Sequence, residues 1–521
     1  MSTVEQQSAD ISRNGGGDGR TFAVDNPATG ETIAHLPDMD AEQVHALVAR
    51  ARAAQKAWGE ASFDDRAAVM YRARKWMTDN RERIAKTVMD ETGKTREDAF
   101  IADVFTTADA LGFWAKEARK YLADERVPSW NNPVAVGKKL VIRYVPVGVV
   151  GVIGPWNYPI ANCFGDAVPA LMAGNAVILK PSEVTPLSSL LVLEGMRAAG
   201  LPDDVMQVAT GTGETGAALV DGADMIMFTG STRTGKKIMA RAAETLTPVS
   251  LELGGKDPMI VLRDADLERA ANTAVYWGMA NGGQICMSVE RIYVEEPVYD
   301  EFVQKVVDKT RQLRQGKPGG AASVELGAVT FAPQVEIIER HIRDAVDKGA
   351  DVLTGGKASN GPGRFFEPTV LTNVDHSMEI MTEETFGPTL PIMKVRDADE
   401  AVQLANDTRY GLNSSVFAGD PDEGERVARR LTAGSACVND AVINYAATEL
   451  PFGGSGESGI GVRHGPGGIQ KYCQVQALAV TRFATKRELY HFPYTKTRSG
   501  LLERMSVLLY GRVPRKYRNR R

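Results

Sequence analysis

The apolar residues of this chain recur with two periods, and the change from one to the other divides it. Before Val147 the spacing is mostly helical. Asp40 stands as a cap, and Val44, Leu47, Val48 and Ala51 follow on one face. Helical patterns continue from Asp64 to about Tyr121, broken at Thr92-Gly93. Thr21 to Gly30 reads as a short strand and a turn. Lys138 to Val147 reads as an isolated strand behind the Pro-rich turns of Pro128 to Pro133. From Val147 onward short apolar runs alternate with helical stretches. The runs are Val149 to Ile153, Ala176 to Leu179, Val205 to Val208, Met225 to Phe228 and Val249 to Leu251. The helical stretches are Asn162 to Ala173, Leu187 to Ala199, Glu214 to Asp221 and Gly235 to Ala243. Such alternation predicts an α/β fold with a doubly wound parallel sheet. Ligands of such sheets bind at the carboxyl ends of the strands, where Lys180, Thr229 to Ser231 and Glu252 fall. A second α/β segment runs from about Gly255 to Phe452. Its strand-like runs are Met259 to Leu262, Arg291 to Val294, Pro368 to Leu371, Thr389 to Met393 and Ser415 to Phe417. A glycine-rich loop, Pro451 to Gly461, follows. Gln474 to Thr481 is a second isolated strand, free to pair with Lys138 to Val147 or with another subunit.

A chain of 521 residues is too long for one core, so two or more domains are expected. A net charge of -5 gives no general basic field for nucleic acid. The cysteines, Cys163, Cys286, Cys437 and Cys473, are far apart and form no CxxC. The histidines form no HExxH. No metal and no disulfide framework are expected, and the setting is read as reducing and cytoplasmic. Residues 1–20 read as a disordered start without a signal peptide, and no apolar run reaches the length of a membrane span.

The candidate chemistry centres on Cys286, which follows Gly282-Gly283-Gln284. A thiolate is a nucleophile, whereas a lone buried cysteine is as often inert packing. Two residues elsewhere supply its company. Glu252, in LELGGK, is a base-like carboxylate, and Asn157, in GPWNYP, carries an amide able to hold an oxyanion. Gly211 to Gly216 matches GxGxxG, yet no acid ends the next strand, as a dinucleotide fingerprint requires. Gly230 to Gly235 is the better phosphate loop, since backbone N–H groups of the following helix start face it. Lys180 and Glu183 put a cation and a carboxylate just after a strand, suited to a ribose.

Seven motifs stand in order: PWNYP from Pro155, KPSE from Lys180, FTGST from Phe228, LELGGK from Leu251, GQIC from Gly283, ETFGP from Glu384 and PFGG from Pro451. That order resembles the NAD(P)-dependent aldehyde dehydrogenase superfamily over about Thr21 to Thr481. The resemblance implies a Rossmann-type cofactor domain (21–127 and 147–254) and an α/β catalytic domain (255–471). It also implies a small bridging β-element, whose strands 128–146 and 472–485 form a homodimer or homotetramer. It implies Cys286 as nucleophile, Glu252 as general base and Asn157 as oxyanion donor. Lys180 and Glu183 hold the adenosine ribose, while Gly230, Ser231 and Gly235 lie at the pyrophosphate. Trp156 lies beside the cofactor, and Glu384 and Phe386 position its nicotinamide end. Glu183 suits the hydroxyls of NAD and repels a 2′-phosphate, so NAD is the expected cofactor, with NADP open. The competing readings are a non-catalytic protein on the same fold, as some lens crystallins are, and a peripheral membrane protein.

Several stretches, such as Ser288 to Val294 and Arg463 to Pro466, are similar to bacterial succinate-semialdehyde dehydrogenases with an extended C-terminus. The arginines that hold the far carboxylate in such enzymes would stand at positions 165 and 280. Here those positions are Gly165 and Ala280. Tyr158, Phe164, Trp277 and Phe452 are therefore candidates for an apolar funnel taking an aliphatic or aromatic aldehyde. The tail 486–521 carries Leu501, Leu502, Met505, Leu508 and Leu509 at helical spacing. Arg512, Arg515, Lys516, Arg518, Arg520 and Arg521 follow. It suits either an anionic membrane surface or a helix docked on its own oligomer.

Overall fold

The computed structural model describes residues 19–129, 135, 137–482, 486–512 and 514. The expected disordered start up to residue 18 lies outside them, as do Arg515, Lys516, Arg518, Arg520 and Arg521. The chain divides into two compact units, Met1–Ala123 with Tyr144–Gln474, and Asp124–Arg143 with Val475–Arg521.

The first unit holds two sheets. Its six-stranded sheet runs in the order Gly459–Ile460, Val249–Glu252, Met225–Thr229, Val149–Ile153, Ala176–Lys180, Met206–Val208. The five strands drawn from residues 149–252 pair in parallel. Every residue of Val149–Ile153, Ala176–Lys180 and Met225–Thr229 is buried, which is why those runs read as continuous apolar blocks. The helix Ala41–Glu60 covers one face. Asp40 accepts from the Gln43 N–H at its start, and Gln43 returns a bond to the Asp40 N–H. Its Trp58 indole donates to the Leu171 carbonyl at 2.9 Å.

The seven-stranded sheet runs Asp351–Thr354, Thr369–Thr372, Thr389–Val395, Arg291–Glu295, Pro258–Val261, Ser415–Phe417, Cys437–Val438. Only Asp351–Thr354 is antiparallel to its neighbour.

Several expectations need correcting. Thr32–Pro37, for which no element was expected, is a strand paired antiparallel with Thr21–Asp25. The helix expected from Gly235 begins at Thr232, because the Ser231 hydroxyl caps it by accepting from the Thr234 N–H. The glycine-rich loop does not stay with the second sheet. Gly459 and Ile460 pair antiparallel with Glu252 and Leu251, and the helix Gly465–Gln470 packs on Thr106–Leu122 and Gly165–Met172. Residues 459–470, expected with the rest of 255–471, thus also contact the six-stranded sheet and its helices. The strand Glu125–Val127, expected in the cofactor domain, belongs to the second unit.

That second unit is built on a three-stranded sheet in the order Cys473–Thr481, Lys138–Pro146, Glu125–Val127. Within the sheet the two isolated strands lie side by side. Thr495 caps a helix, Lys496–Tyr510, in which no side chain is buried. Leu501, Leu502, Met505, Leu508 and Leu509 are all exposed. Among the described residues no helix is long and apolar enough to cross a membrane, and no cluster of side chains is arranged for a metal ion.

Gly459 has φ 151°, and a Cβ there would run into the Leu251 carbonyl of the strand that carries Glu252. Gly459→Ala is expected to destabilise the protein by more than about 1 kcal/mol, read as a lower midpoint in thermal denaturation. An unchanged midpoint would mean that this pairing is not needed for the fold.

Candidate active site

A cavity of about 860 Å³ opens at the carboxyl ends of the six-stranded sheet. Cys286, Asn157, Trp156, Lys180, Glu183, Gly230, Ser231, Glu384 and Phe386 all line it. Gly235 does not. It sits inside the helix, where a Cβ would lie 2.6 Å from Leu253, and so serves close packing. Glu252 lies behind the wall, 3% exposed, with its Oε1 buried and unpartnered.

Cys286 follows an unusual turn. Asn281, Gly282 and Gly283 have φ of 52°, 64° and 72°. Gly283 is needed because its α-carbon lies against the Gly387 carbonyl, where a Cβ has no room. Its close approach is thus to the Glu384 loop. Gly255 likewise backs onto the turn, since a Cβ there would lie 2.5 Å from the Cys286 carbonyl. Gln284 fastens the turn, donating to the Asn281 carbonyl at 2.7 Å and accepting from the Thr330 N–H at 2.8 Å.

Asn157 is held from three sides. Its side-chain amide donates to the Gln284 carbonyl at 2.9 Å, two residues before the cysteine. Its carbonyl accepts from Lys94 Nζ at 2.7 Å and from the Asn281 amide at 3.3 Å. Lys94 is fully buried and paired with Asp103 at 2.9 Å. Asp103 also accepts from the N–H groups of Ile160 and Ala161. That ion pair fixes the whole segment from Asn157 to Ala161.

The Glu384 loop is fixed in the same way. Lys256 and Glu290 pair at 2.6 Å in the interior, and Glu290 accepts from the N–H groups of Thr385 and Phe386. Glu384 accepts from the Gly255 N–H at 2.9 Å. Trp156 meets Phe386 edge-on at 5.3 Å and Phe331 at 5.9 Å, forming an aromatic wall.

Burial raises Cys286, Glu252 and Glu384. It pushes the Cys286 thiol up to about 12, against the lowering influence of Arg463. At pH 7 the sulfur therefore carries its proton and needs a base. Burial lifts Glu252 to about 7 against the pull of Arg463 and Lys471, which suits it to that work. Burial, then the nearby Glu290, lifts Glu384 to about 8.

The cavity fits a dinucleotide. Lys180 Nζ lies 3.3 Å from Glu183, whose carboxylate is half open to solvent. Gly213 and Gly216 also line the wall, with no neighbour closer than 4.0 Å to an added Cβ, so side chains there would project into the space. The GxGxxG run set aside for lack of an acid thus borders the same cavity. Sequence reasoning missed the cation row Arg233, Lys237 and Arg241 on the wall, although its four-residue spacing was visible. It also missed Phe331, Gln334 and Ile337, for which no local signal exists.

The funnel residues part company. Tyr158, Trp277 and Phe452 pack with Cys286 and Tyr445 in one apolar cluster. Phe164 belongs to the other core, beside Trp114 and Leu171, and is not part of a funnel.

A cysteine and an amide line this nucleotide-sized cavity, and a buried carboxylate stands behind its wall. The chain matches the aldehyde dehydrogenase family over residues 15–478 and belongs to that family of NAD(P)-dependent oxidoreductases. It is 41% identical to a Mycobacterium ulcerans protein named "Putative succinate-semialdehyde dehydrogenase [NADP(+)] 2", over 89% of each chain. It is 36% identical to a 4,4'-diapolycopene aldehyde oxidase of Methylomonas, covering 96% of this chain and 93% of that one. Betaine aldehyde dehydrogenase of Staphylococcus aureus, solved with NAD+, superposes with a TM-score of 0.84 at 33% identity, over 90% of this chain and 93% of that one.

Proposed function

We propose that this enzyme oxidises an aldehyde with an apolar body to its carboxylic acid through a covalent intermediate on Cys286. The observation that carries the reading is a half-buried thiol at the cavity wall with a buried carboxylate behind it, Glu252, whose Oε1 is unpartnered. Glu252 takes the thiol proton, and the sulfur forms a C–S bond to the aldehyde carbon. The carbonyl electron pair moves to oxygen, where the second N–H of the Asn157 amide is free to donate. Such a donor is worth about 2.7–4 kcal/mol in the transition state. The bound nicotinamide supplies a hydride acceptor, which no side chain offers. Loss of that hydride leaves a thioester on Cys286; Glu252, having passed the thiol proton to solvent, then deprotonates the water that hydrolyses it, releasing the acid and the free thiol.

The apolar substrate rests on the cluster of Tyr158, Trp277, Tyr445 and Phe452 beside Cys286. The buried cations nearby are engaged, Lys94 with Asp103 and Arg463 with Asp166. Neither is free for a distal carboxylate, and positions 165 and 280 are Gly and Ala. Succinic semialdehyde is the second reading, favoured by the name of the mycobacterial relative. NADH and NADPH formation against a panel of succinic, medium-chain and aromatic aldehydes tests both readings. The apolar aldehydes should give the higher kcat/KM, and Cys286→Ala should fall to background. Full activity in that variant would end the covalent reading, and preference for succinic semialdehyde would reverse the substrate assignment.

Glu183, exposed beside Lys180, favours NAD over NADP by repelling a 2′-phosphate, although the mycobacterial relative's name carries NADP(+). Glu183→Gln should raise the NADPH to NADH ratio about tenfold, equivalent to about 1.4 kcal/mol. An unchanged ratio would remove Glu183 from cofactor choice.

The reading carries a cytoplasmic setting and a homo-oligomer. The exposed apolar side chains of Lys496–Tyr510 suit a second copy of the chain better than solvent. Sedimentation of full-length protein and a variant ending at residue 485 tests this. The full chain should be the larger assembly. Equal assemblies, with only the full chain binding phosphatidylserine vesicles, would favour a membrane instead.

A further inference from the structure

Four ionisable side chains converge behind the cavity wall: Glu252, Asp166, Arg463 and Lys471. Asp166, Arg463 and Glu252 are buried, and Lys471 is half-buried. Two of them satisfy each other. Arg463 forks onto Asp166 with bonds of 2.8 and 2.7 Å. The same guanidinium donates to Thr229 Oγ1 at 2.8 Å and to Asn162 Oδ1 at 3.2 Å. Thr229 is the register partner of Glu252 on the neighbouring strand, so this contact sets the guanidinium beside the carboxylate without bonding it.

The other two have no ion-pair partner among the described residues. Lys471 Nζ donates only to neutral groups, Ser250 Oγ and Met227 Sδ, each at 3.3 Å. Ser250 and Glu252 are two apart on one strand and share a face. Lys471 therefore stands on the Glu252 side of that strand, and Glu252 Oε1 is the buried acceptor left without a donor. A buried carboxylate and a cation on one strand face, each lacking an ionic partner, balance each other's charge.

We propose that Lys471 is the charge partner of Glu252 and a positioning residue for hydrolysis of the acyl-cysteine. The proposal rests on Glu252 as the base of that step. The ammonium favours the ionised carboxylate, which is the form that accepts a proton from water. Other groups also act on this pair. Arg463, Asp166, Cys286, Tyr445 and Tyr472 face Glu252, and Asp166, Arg463 and His464 face Lys471. Of these, Asp166 and Arg463 offset one another. The raised position of Glu252 and the lowered position of Lys471, about 7 and about 8, are those of a buried pair in which each still helps ionise the other. The sign follows directly. Without the cation the carboxylate holds its proton to higher pH, so the acid limb of hydrolysis moves up.

Hydrolysis of p-nitrophenyl acetate by the cofactor-free enzyme tests this, because the burst reports acylation of Cys286 and the steady rate reports hydrolysis. Lys471→Met should move the acid limb of the steady rate up by about one pH unit, lowering it about fivefold at pH 7 and restoring it near pH 9. Lys471→Arg should keep the native limb. If the Met variant does not fold, Lys471→Gln should give the same shift. An unmoved limb in the neutral variants, or an equal loss at every pH that Arg does not rescue, would overturn the proposal. Glu252→Gln separates the two levels. If it hydrolyses the acyl-enzyme normally, the base assignment fails and the proposal with it. If it is inactive while Lys471→Met is native-like, only the Lys471 assignment fails.

Discussion

The strand Val249–Glu252 lies between Met225–Thr229 and the returning Gly459–Ile460, and the site depends on that pairing. Glu252 is its last residue. Its far edge is closed only because the chain comes back after position 451 and approaches through Gly459 and Gly461, where side chains would strike Leu251 and Ser250. Twenty residues then bring Arg463 and Lys471 to the same face. One backbone constraint thus encloses Glu252 and supplies the charges that govern it.

The enclosed centre is held by ion pairs that are more useful as braces than as sources of stability. Desolvation cancels much of the attraction of a buried pair, so its worth lies in fixed geometry. Lys94 with Asp103 braces Asn157, and Lys256 with Glu290 braces the Glu384 loop. Asp166 with Arg463 braces Thr229 and Asn162. Each pair bonds the backbone or a side chain of a residue that lines the cavity. Cys286 and Glu252 take part in none of these ion pairs, and burial raises the thiol to about 12 and the carboxylate to about 7.

Much of this site was legible in the sequence. Cys286, Asn157 and Glu252 stand in short motifs whose residue types fit one chemistry, and the strands that carry Lys180 and Glu252 read as buried apolar runs. Gly235 and Phe164 were misplaced for opposite reasons. Gly235 looked like loop because glycine usually does, while the Ser231 cap starts the helix earlier. Phe164 looked like a pocket residue because it is aromatic and close in sequence to Asn157. A segment of π-helix, Ile160–Phe164, instead carries it into the other core. The braces were invisible. Asp166 and Arg463 are 297 residues apart, and no local pattern marks either as a partner.

The amino-acid sequence by itself determined the α/β alternation, the family and the short motifs that hold Cys286, Glu252 and Asn157. Burial period, turn chemistry and short motifs are local properties that survive without a fold. Only the tertiary structure decided which charges meet, where the last domain boundary falls and how far burial moves each proton. Those depend on distances between residues far apart in the chain and on the exclusion of water, and neither exists until the two sheets and the returning segment have closed around Glu252.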